Sequence, residues 1–191
     1  MLNIVLFGAP GCGKGTQAAR LKERYGIRHV STGEVIRGEI ARGTELGRSM
    51  ESYINRGELA PDSLVIGIIA HYIEEHRDCA GNIFDGFPRT TAQAEAFDEI
   101  LSRHGLKVDA MVCLEVPEEE LVRRILLRGK DSGRADDASE EVIRNRIATY
   151  RAQTAVVADY YAAQGKYASV NGVGTMDEVF DRICSVLDTR R

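Results

Sequence analysis

Nine residues near the start of the chain, Gly8-Ala9-Pro10-Gly11-Cys12-Gly13-Lys14-Gly15-Thr16, constrain its fold more than any other stretch. Before them, Asn3-Ile4-Val5-Leu6-Phe7 reads as a buried strand, and after them Gln17 to Lys22 reads as a helix. Strand, glycine-rich turn and helix start are together what a phosphate-binding loop requires. Gly8, Gly11 and Gly13 allow positive φ, so that successive N–H groups turn inward as an anion-sized nest at a helix N-terminus. Lys14 then adds a mobile positive charge for the β and γ phosphates of a nucleotide.

One letter departs from the general motif. Ser or Thr usually follows the lysine and holds magnesium; here Gly15 takes that place and Thr16 comes next. The spelling Gly-x-Pro-Gly-x-Gly-Lys-Gly-Thr resembles the adenylate kinases and their nucleoside monophosphate kinase relatives. The resemblance implies ATP binding by Gly11, Cys12, Gly13, Lys14, Gly15 and Thr16.

With 191 residues, 43% of them hydrophobic and 28% charged, the chain suits one globular domain with small inserted flaps. A formal charge of -4 speaks against nucleic acid or an acidic membrane surface held by bulk charge, so any basic site is a local cluster. Cys12, Cys79, Cys113 and Cys184 are scattered without a C-x-x-C pair, which fits a reducing cytoplasm. Cys12 reads either as a small loop residue or as a thiol activated by Lys14 and a helix N-terminus. Met1-Leu2-Asn3 runs into the first strand without a signal-like segment, and no stretch is long enough to span a membrane.

Along the chain, strand and helix alternate. The first helix reaches Tyr25 and stops at Gly26. Arg28-His29-Val30 is a short strand, and the segment from Ser31 to Ala60 reads as a helical flap broken at Gly38, Gly43, Gly47 and Gly57. A helix restarts at Pro61-Asp62 with a stripe of Leu64, Ile68, Ile69, Tyr72 and Ile73. Asn82 to Asp85 is a buried strand, Thr91 to His104 a helix, and Ala110 to Val116 a strong strand. Pro117 and three glutamates open a helix expected to end near Arg128. A polar loop from Gly129 to Asp137 precedes one long helix from Ser139 to about Gln164, with Ile143, Ile147, Tyr150, Val157 and Tyr161 along one face. Tyr167 to Val170 is the last strand. A capping box at Thr175-Met176-Asp177-Glu178 opens the final helix, whose apolar face is Met176, Val179, Phe180, Ile183 and Leu187. These elements make an α/β fold: a five-stranded parallel sheet between helical layers, with Gly8 and Asp85 at its C-terminal edge, where ligands bind.

Asp-Gly-Phe-Pro-Arg-x-x-x-Gln, from Asp85 to Gln93, is the second chemical signature. An acid ending a buried strand beside a phosphate loop is expected to hold Mg²⁺, directly or through water. Gly15 offers no hydroxyl, which gives Asp85 more of that task. The string resembles the acceptor segment of adenylate kinases. That resemblance implies that Arg89 grips the acceptor phosphate and Gln93 hydrogen-bonds adenine, with Thr32, Arg37, Glu58, Leu59, Ala60, Gly86, Phe87 and Pro88 completing the AMP site.

The third cluster is basic. Arg124 and Arg128 are four residues apart on one helix face, Arg134 lies in Gly-Arg-Ala-Asp-Asp, and Arg146 follows on the next helix. A triphosphate brings about four negative charges and a monophosphate about two, less two for magnesium. Lys14, Arg37, Arg89, Arg124, Arg128, Arg134 and Arg146 could offset that load and the charge of a loose phosphoryl transition state. By resemblance, Arg128 contacts the donor triphosphate, Arg134 and Arg146 span both phosphates, and Gly174 borders the donor adenine. The resemblance also implies a short lid, about 128-138, and an AMP-binding flap, about 31-60. Short-lid relatives have one residue fewer between Arg134 and Arg146, which places the difference in register near Ala138-Ser139. No cysteine lies in this lid, so no structural zinc is expected.

No Ser-His-Asp set or other base accompanies these motifs, and His29, His71, His76 and His104 are spread without ligand spacing. A phosphate acceptor needs no base, because its second pKa of about 6 leaves it ionised at neutral pH. The expectation is therefore a monomeric, magnesium-dependent enzyme transferring the γ-phosphoryl of ATP to AMP to give two ADP. A uridylate/cytidylate kinase shares the loop and lid arginines, and a non-catalytic ATP-binding switch shares the loop alone.

Overall fold

The computed structural model describes residues 2–76, 79–137 and 139–190. Met1, at the start of the expected first segment, and Ala138, at the expected change of register, lie outside the described residues.

β1 (Leu2–Phe7), β2 (Arg28–Ser31), β3 (Gly81–Asp85), β4 (Ala110–Glu115) and β5 (Tyr167–Asn171) form one parallel sheet in the order β2-β3-β1-β4-β5. From β1 the chain moves outward one way to β2 and β3 and the other way to β4 and β5. The C-terminal end of β1 therefore opens where strand order reverses, the usual ligand crevice of such sheets.

The alternating residues of β1 explain the three layers. Ile4 and Leu6 enter one core with Ala18 and Leu21 of α1 (Lys14–Tyr25). That core also takes Leu121 and Ile125 of α6 (Glu118–Ser132), Ile143 and Ile147 of α7 (Glu140–Thr149), and Ile183 and Leu187 of α9 (Met176–Asp188). Val5 and Phe7 enter the opposite core with α4 (Asp62–Glu75), α5 (Thr91–Arg103) and α8 (Val157–Ala162). Buried on both faces, β1 is a nearly continuous apolar run, as a central parallel strand should be. On the second face Phe97 of α5 packs edge-on against Phe84 and Phe87, with centroids 4.7 and 5.2 Å away. These contacts tie α5 to β3 and hold the Asp85–Gln93 turn between them.

Several elements differ from their sequence expectation. α2 (Thr32–Ala41) and α3 (Glu45–Arg56) occupy the expected flap and break at Gly43 and Gly57, but Gly38 and Gly47 lie inside the helices. Gly47 is a packing contact instead: a Cβ there would come within 2.3 Å of the Glu39 carbonyl oxygen. In α4 the fully inward stripe is Val65, Ile69 and Ile73, while Leu64, Ile68 and Tyr72 flank it. α6 continues past Arg128 to Ser132 and stops at Gly133, whose φ of 62° caps it. The expected polar loop thus shrinks to Gly133, Arg134 and a 3₁₀ turn at Ala135–Asp137.

The expected long helix is α7, a π-helical stretch at Tyr150–Thr154, and α8. Ile143 and Ile147 belong to one core, Val157 and Tyr161 to the other, and Tyr150 packs against both. An uninterrupted 3.6-residue spiral would keep all five on one face; the wider π turns redirect the stripe as the chain crosses the end of the sheet. Met176, expected on the apolar face of α9, is 64% exposed. It is the first residue after the Thr175 cap, and its carbonyl accepts from Gln17 Nε2 (3.0 Å).

Candidate active site

The loop between β1 and α1 forms as its glycines allow. Gly8, Gly11 and Gly13 have φ of 134°, 83° and 103°, and α1 begins at Lys14 without a side-chain cap, leaving its first N–H groups facing the loop. Lys14 Nζ donates to the carbonyls of Gly8 (2.7 Å) and Ala9 (3.1 Å). The loop so holds its lysine in place until an anion competes for the charge.

A cavity of about 490 Å³ runs from this loop, past the end of β3, to α2 and α3. Gly11, Gly13, Lys14, Gly15, Thr16, Thr32, Arg37, Glu58, Leu59, Ala60, Asp85, Gly86, Phe87, Pro88, Arg89, Gln93, Arg128, Arg134 and Arg146 all line it. Three sequence-selected residues do not. Cys12 is buried behind the loop, with its Sγ 3.5 Å from Lys14 Nζ. Arg124 lies on α6 with Arg128, but Glu120 Oε1 (2.7 Å) and the Gly172 carbonyl (3.2 Å) draw its guanidinium to the end of β5. Gly174 is in that same β5–α9 connection and outside the lining.

Asp85 ends β3, in register with Leu6 of β1 and Ser31 of β2. Its carboxylate faces the start of α1, where a Cβ on Gly15 would stand 3.7 Å from Oδ2. Burial pushes this carboxyl up; the facing His29 and the charges of Lys14 and Arg89 outweigh it and hold the pKa below the ordinary value. His29 Nε2 is 3.5 Å from Asp85 Oδ2, an ion-pair distance without hydrogen-bond geometry. Sequence spacing gave no sign of this pairing, because β2 and β3 become neighbours only through the sheet.

The arginines converge from three helices, α2, α6 and α7, and from the connections that follow β3 and α6. Burial lowers the Arg89 pKa, and so do the nearby charges of Arg146 and Arg37. Burial likewise lowers Arg37, assisted by Arg134 and Arg146. The cluster is thus a like-charge assembly, partly relieved by acids. Asp137, 0% exposed at its side chain, accepts a two-pronged bond from Arg128 (2.7 and 2.9 Å) and another from Arg146 (2.7 Å). Asp136 pairs with Arg146 at 3.0 Å. The Arg37 and Arg134 guanidinium groups have no hydrogen-bonding partner among the described residues, and both line the cavity. Such a set is built to take multiply charged oxyanions.

The model of the adenylate kinase family matches residues 6–166. The chain is 54% identical over 188 residues to an adenylate kinase of Bacteroides thetaiotaomicron, covering 98% of this chain and 99% of the relative. It is 52% identical over 189 residues to one of Bacteroides fragilis (99% and 100%) and 46% identical over 188 residues to one of Flavobacterium johnsoniae (98% and 99%). The chain belongs to the adenylate kinase family. For an adenylate kinase fold, the lining residues that sequence reasoning passed over include Ser31, Ile36, Ile54, Val65 and Asp136, and a group around the π-helical stretch. Thr149, at the end of α7, and Tyr150 and Thr154, in the π-helical stretch, line the cavity.

Proposed function

We propose that the cavity transfers the γ-phosphoryl group of ATP to AMP, reversibly, giving two ADP. The observation that carries this reading is the meeting of Lys14 with Arg37, Arg89, Arg128, Arg134 and Arg146 around one cavity that begins at the phosphate loop. Donor phosphates lie on the Gly11–Thr16 loop and Arg128, and Lys14 exchanges its bonds to Gly8 and Ala9 for them. The acceptor monophosphate lies between Thr32, Arg37 and Arg89, with its base toward Glu58, Leu59, Ala60, Gly86, Phe87, Pro88 and Gln93. Arg134 and Arg146 reach both phosphates. Arg124, held at Gly172 beside Gly174, borders the donor base and does not touch the transferred group.

Adenylate kinases use Mg²⁺ with ATP, and the donors here fit that ion. Among the described residues no group of three or more His, Cys, Asp or Glu could hold a metal alone. Asp85 would hold the ion with help from nucleotide oxygens and water, and the bound ion would neutralise phosphate charge. The protein's own part is positioning and electrostatic stabilisation: the guanidinium groups are fixed before charge develops, and the ionised acceptor needs no base. Residues 31–60 act as a flap and 128–138 as a lid, closing to exclude water. No helix among the described residues is long and apolar enough to cross a membrane, and all four cysteines are free. We place the enzyme in the cytoplasm as a monomer.

The test is a steady-state assay of ATP against AMP, UMP, CMP and GMP. ADP formation with AMP preferred is the expected result. A preference for UMP or CMP, or no turnover with any acceptor, would overturn the reading.

A further inference from the structure

We infer that Asp62 sets the acceptor-base specificity of the site by fixing which way the Gln93 amide faces, an inference that rests on AMP's base reaching Gln93. Gln93 is 1% exposed and lines the cavity, whereas Asp62 and Thr90 stand behind it, outside the lining. Its Oε1 accepts from the Arg89 N–H at 2.8 Å, and its Nε2 donates to Asp62 Oδ1 at 2.8 Å. The other Asp62 oxygen is held by Thr90 Oγ1 at 3.0 Å, and that hydroxyl accepts from the Gln93 N–H at 3.1 Å. The carboxylate at the start of α4 is therefore tied to the cap of α5.

This network admits one amide orientation. A backbone N–H can only donate, so it requires the oxygen of Gln93; a carboxylate can only accept, so it requires the NH₂ group. Reversing the amide would set N–H against N–H at Arg89 and oxygen against oxygen at Asp62, each a buried mismatch. One N–H and one lone pair of Gln93 remain for the cavity, with the sense of the pair fixed. That pair complements a base edge with an amino donor beside a ring-nitrogen acceptor, as in adenine. A carbonyl beside a ring N–H, as in hypoxanthine or uracil, needs the reversed amide. Asp62 is thus a positioning residue: it acts on the substrate only through Gln93.

Inosine monophosphate isolates this effect, because its base has the size of adenine and the opposite edge. The experiment measures kcat/KM for AMP and IMP, with ATP as donor, in the wild type, Asp62→Asn, Gln93→Leu and the double variant. Asparagine accepts either amide sense, leaving only the Arg89 N–H to hold the orientation. The AMP-to-IMP ratio should fall about tenfold to a hundredfold in Asp62→Asn. It should be the same in Gln93→Leu with or without the Asp62 change. A ratio is independent of the fraction of enzyme that folds, so a less stable variant still reports. A ratio within twofold of wild type in Asp62→Asn, or an equal drop in the Gln93→Leu background, overturns the inference. Failure of the underlying reading would show separately, as no ADP from ATP and AMP in the wild type.

Discussion

At Arg89, burial and two neighbouring guanidinium groups all press against a charge whose side-chain hydrogen bond, among the described residues, goes to the Gly86 carbonyl (2.7 Å). Such a residue contributes little to stability by itself and gains most when a phosphoryl group brings negative charge. Arg89→Ala should therefore lower kcat by roughly 10³, the range for a guanidinium at a phosphoryl-transfer site. Arg89→Lys should recover little of that, since an ammonium lacks the planar fork. Single-turnover and steady-state rates check both, and near-normal turnover in Arg89→Ala removes it from the site. Asp137 has the opposite character. Burial raises its pKa, but bonds to Arg128 and Arg146 dominate and hold it below the ordinary 3.8. A depressed carboxyl contributes stability above its unfolded pKa and loses it as pH falls through the folded value. Asp137→Asn should cost about 3 kcal/mol at pH 7, the low end for breaking a buried pair because Arg128 stays 38% exposed. In urea melts the gap between wild type and variant should begin to close below pH 3.8 and vanish once wild-type Asp137 is protonated.

At the scale of elements, Gly57 determines how closely the end of α3 meets α7. Its φ is 71°, and a Cβ there would stand 2.7 Å from Arg146 Cγ and 3.0 Å from the Val142 carbonyl. Thr149 Oγ1 donates to the Gly57 carbonyl at 3.3 Å, and Asn145 Nδ2 donates to that of Arg56. Gly57→Ala should push α3 away from α7 and displace Arg146, lowering kcat/KM for AMP about tenfold or more by misplacement. KM for ATP should change less, because the phosphate loop is untouched; an equal loss for both nucleotides would contradict this. Gly57 also shows what a sequence discloses. A helix break at Gly57 and a contact at Gly47 look alike in the sequence, because both are glycines in a helical pattern. Only the second helix reveals that Gly47 touches the Glu39 backbone. The loop from Gly8 to Thr16 and the segment from Asp85 to Gln93 were readable because their chemistry is local to a few consecutive residues. The approach of His29 to Asp85, the hold of Asp62 on Gln93, and the turn of Tyr150 and Thr154 toward the cavity were not. Each depends on elements that meet only after the sheet is assembled.

Across the whole molecule, a chain of formal charge -4 lines one cavity with Lys14 and five arginines, more cations than the four acids beside them, so those cations stand where they repel one another. Burial first, and then the neighbouring guanidinium charges, lower the pKa of Arg37 and Arg89, and a phosphate ligand supplies the negative charge that offsets the repulsive part. Ligand binding should therefore stabilise the fold as well as prepare the reaction. A ligand at a hundred times its Kd adds about 2.7 kcal/mol, and a chain of this size gains about 2–4 °C per kcal/mol. AMP alone, which cannot turn over without a donor, should then raise Tm by about 5–10 °C at that saturation. In Arg89→Ala the same AMP concentration should lose most of that shift while the shift from ATP persists, if the donor phosphates rest on the Gly11–Thr16 loop as proposed. Raising salt to about 1 M shortens screening to about 3 Å and should shrink both shifts. Calorimetry of the wild type and Arg89→Ala with each nucleotide decides it. Equal loss of both shifts in the variant would mean that the two phosphates do not occupy separate ends of the cavity.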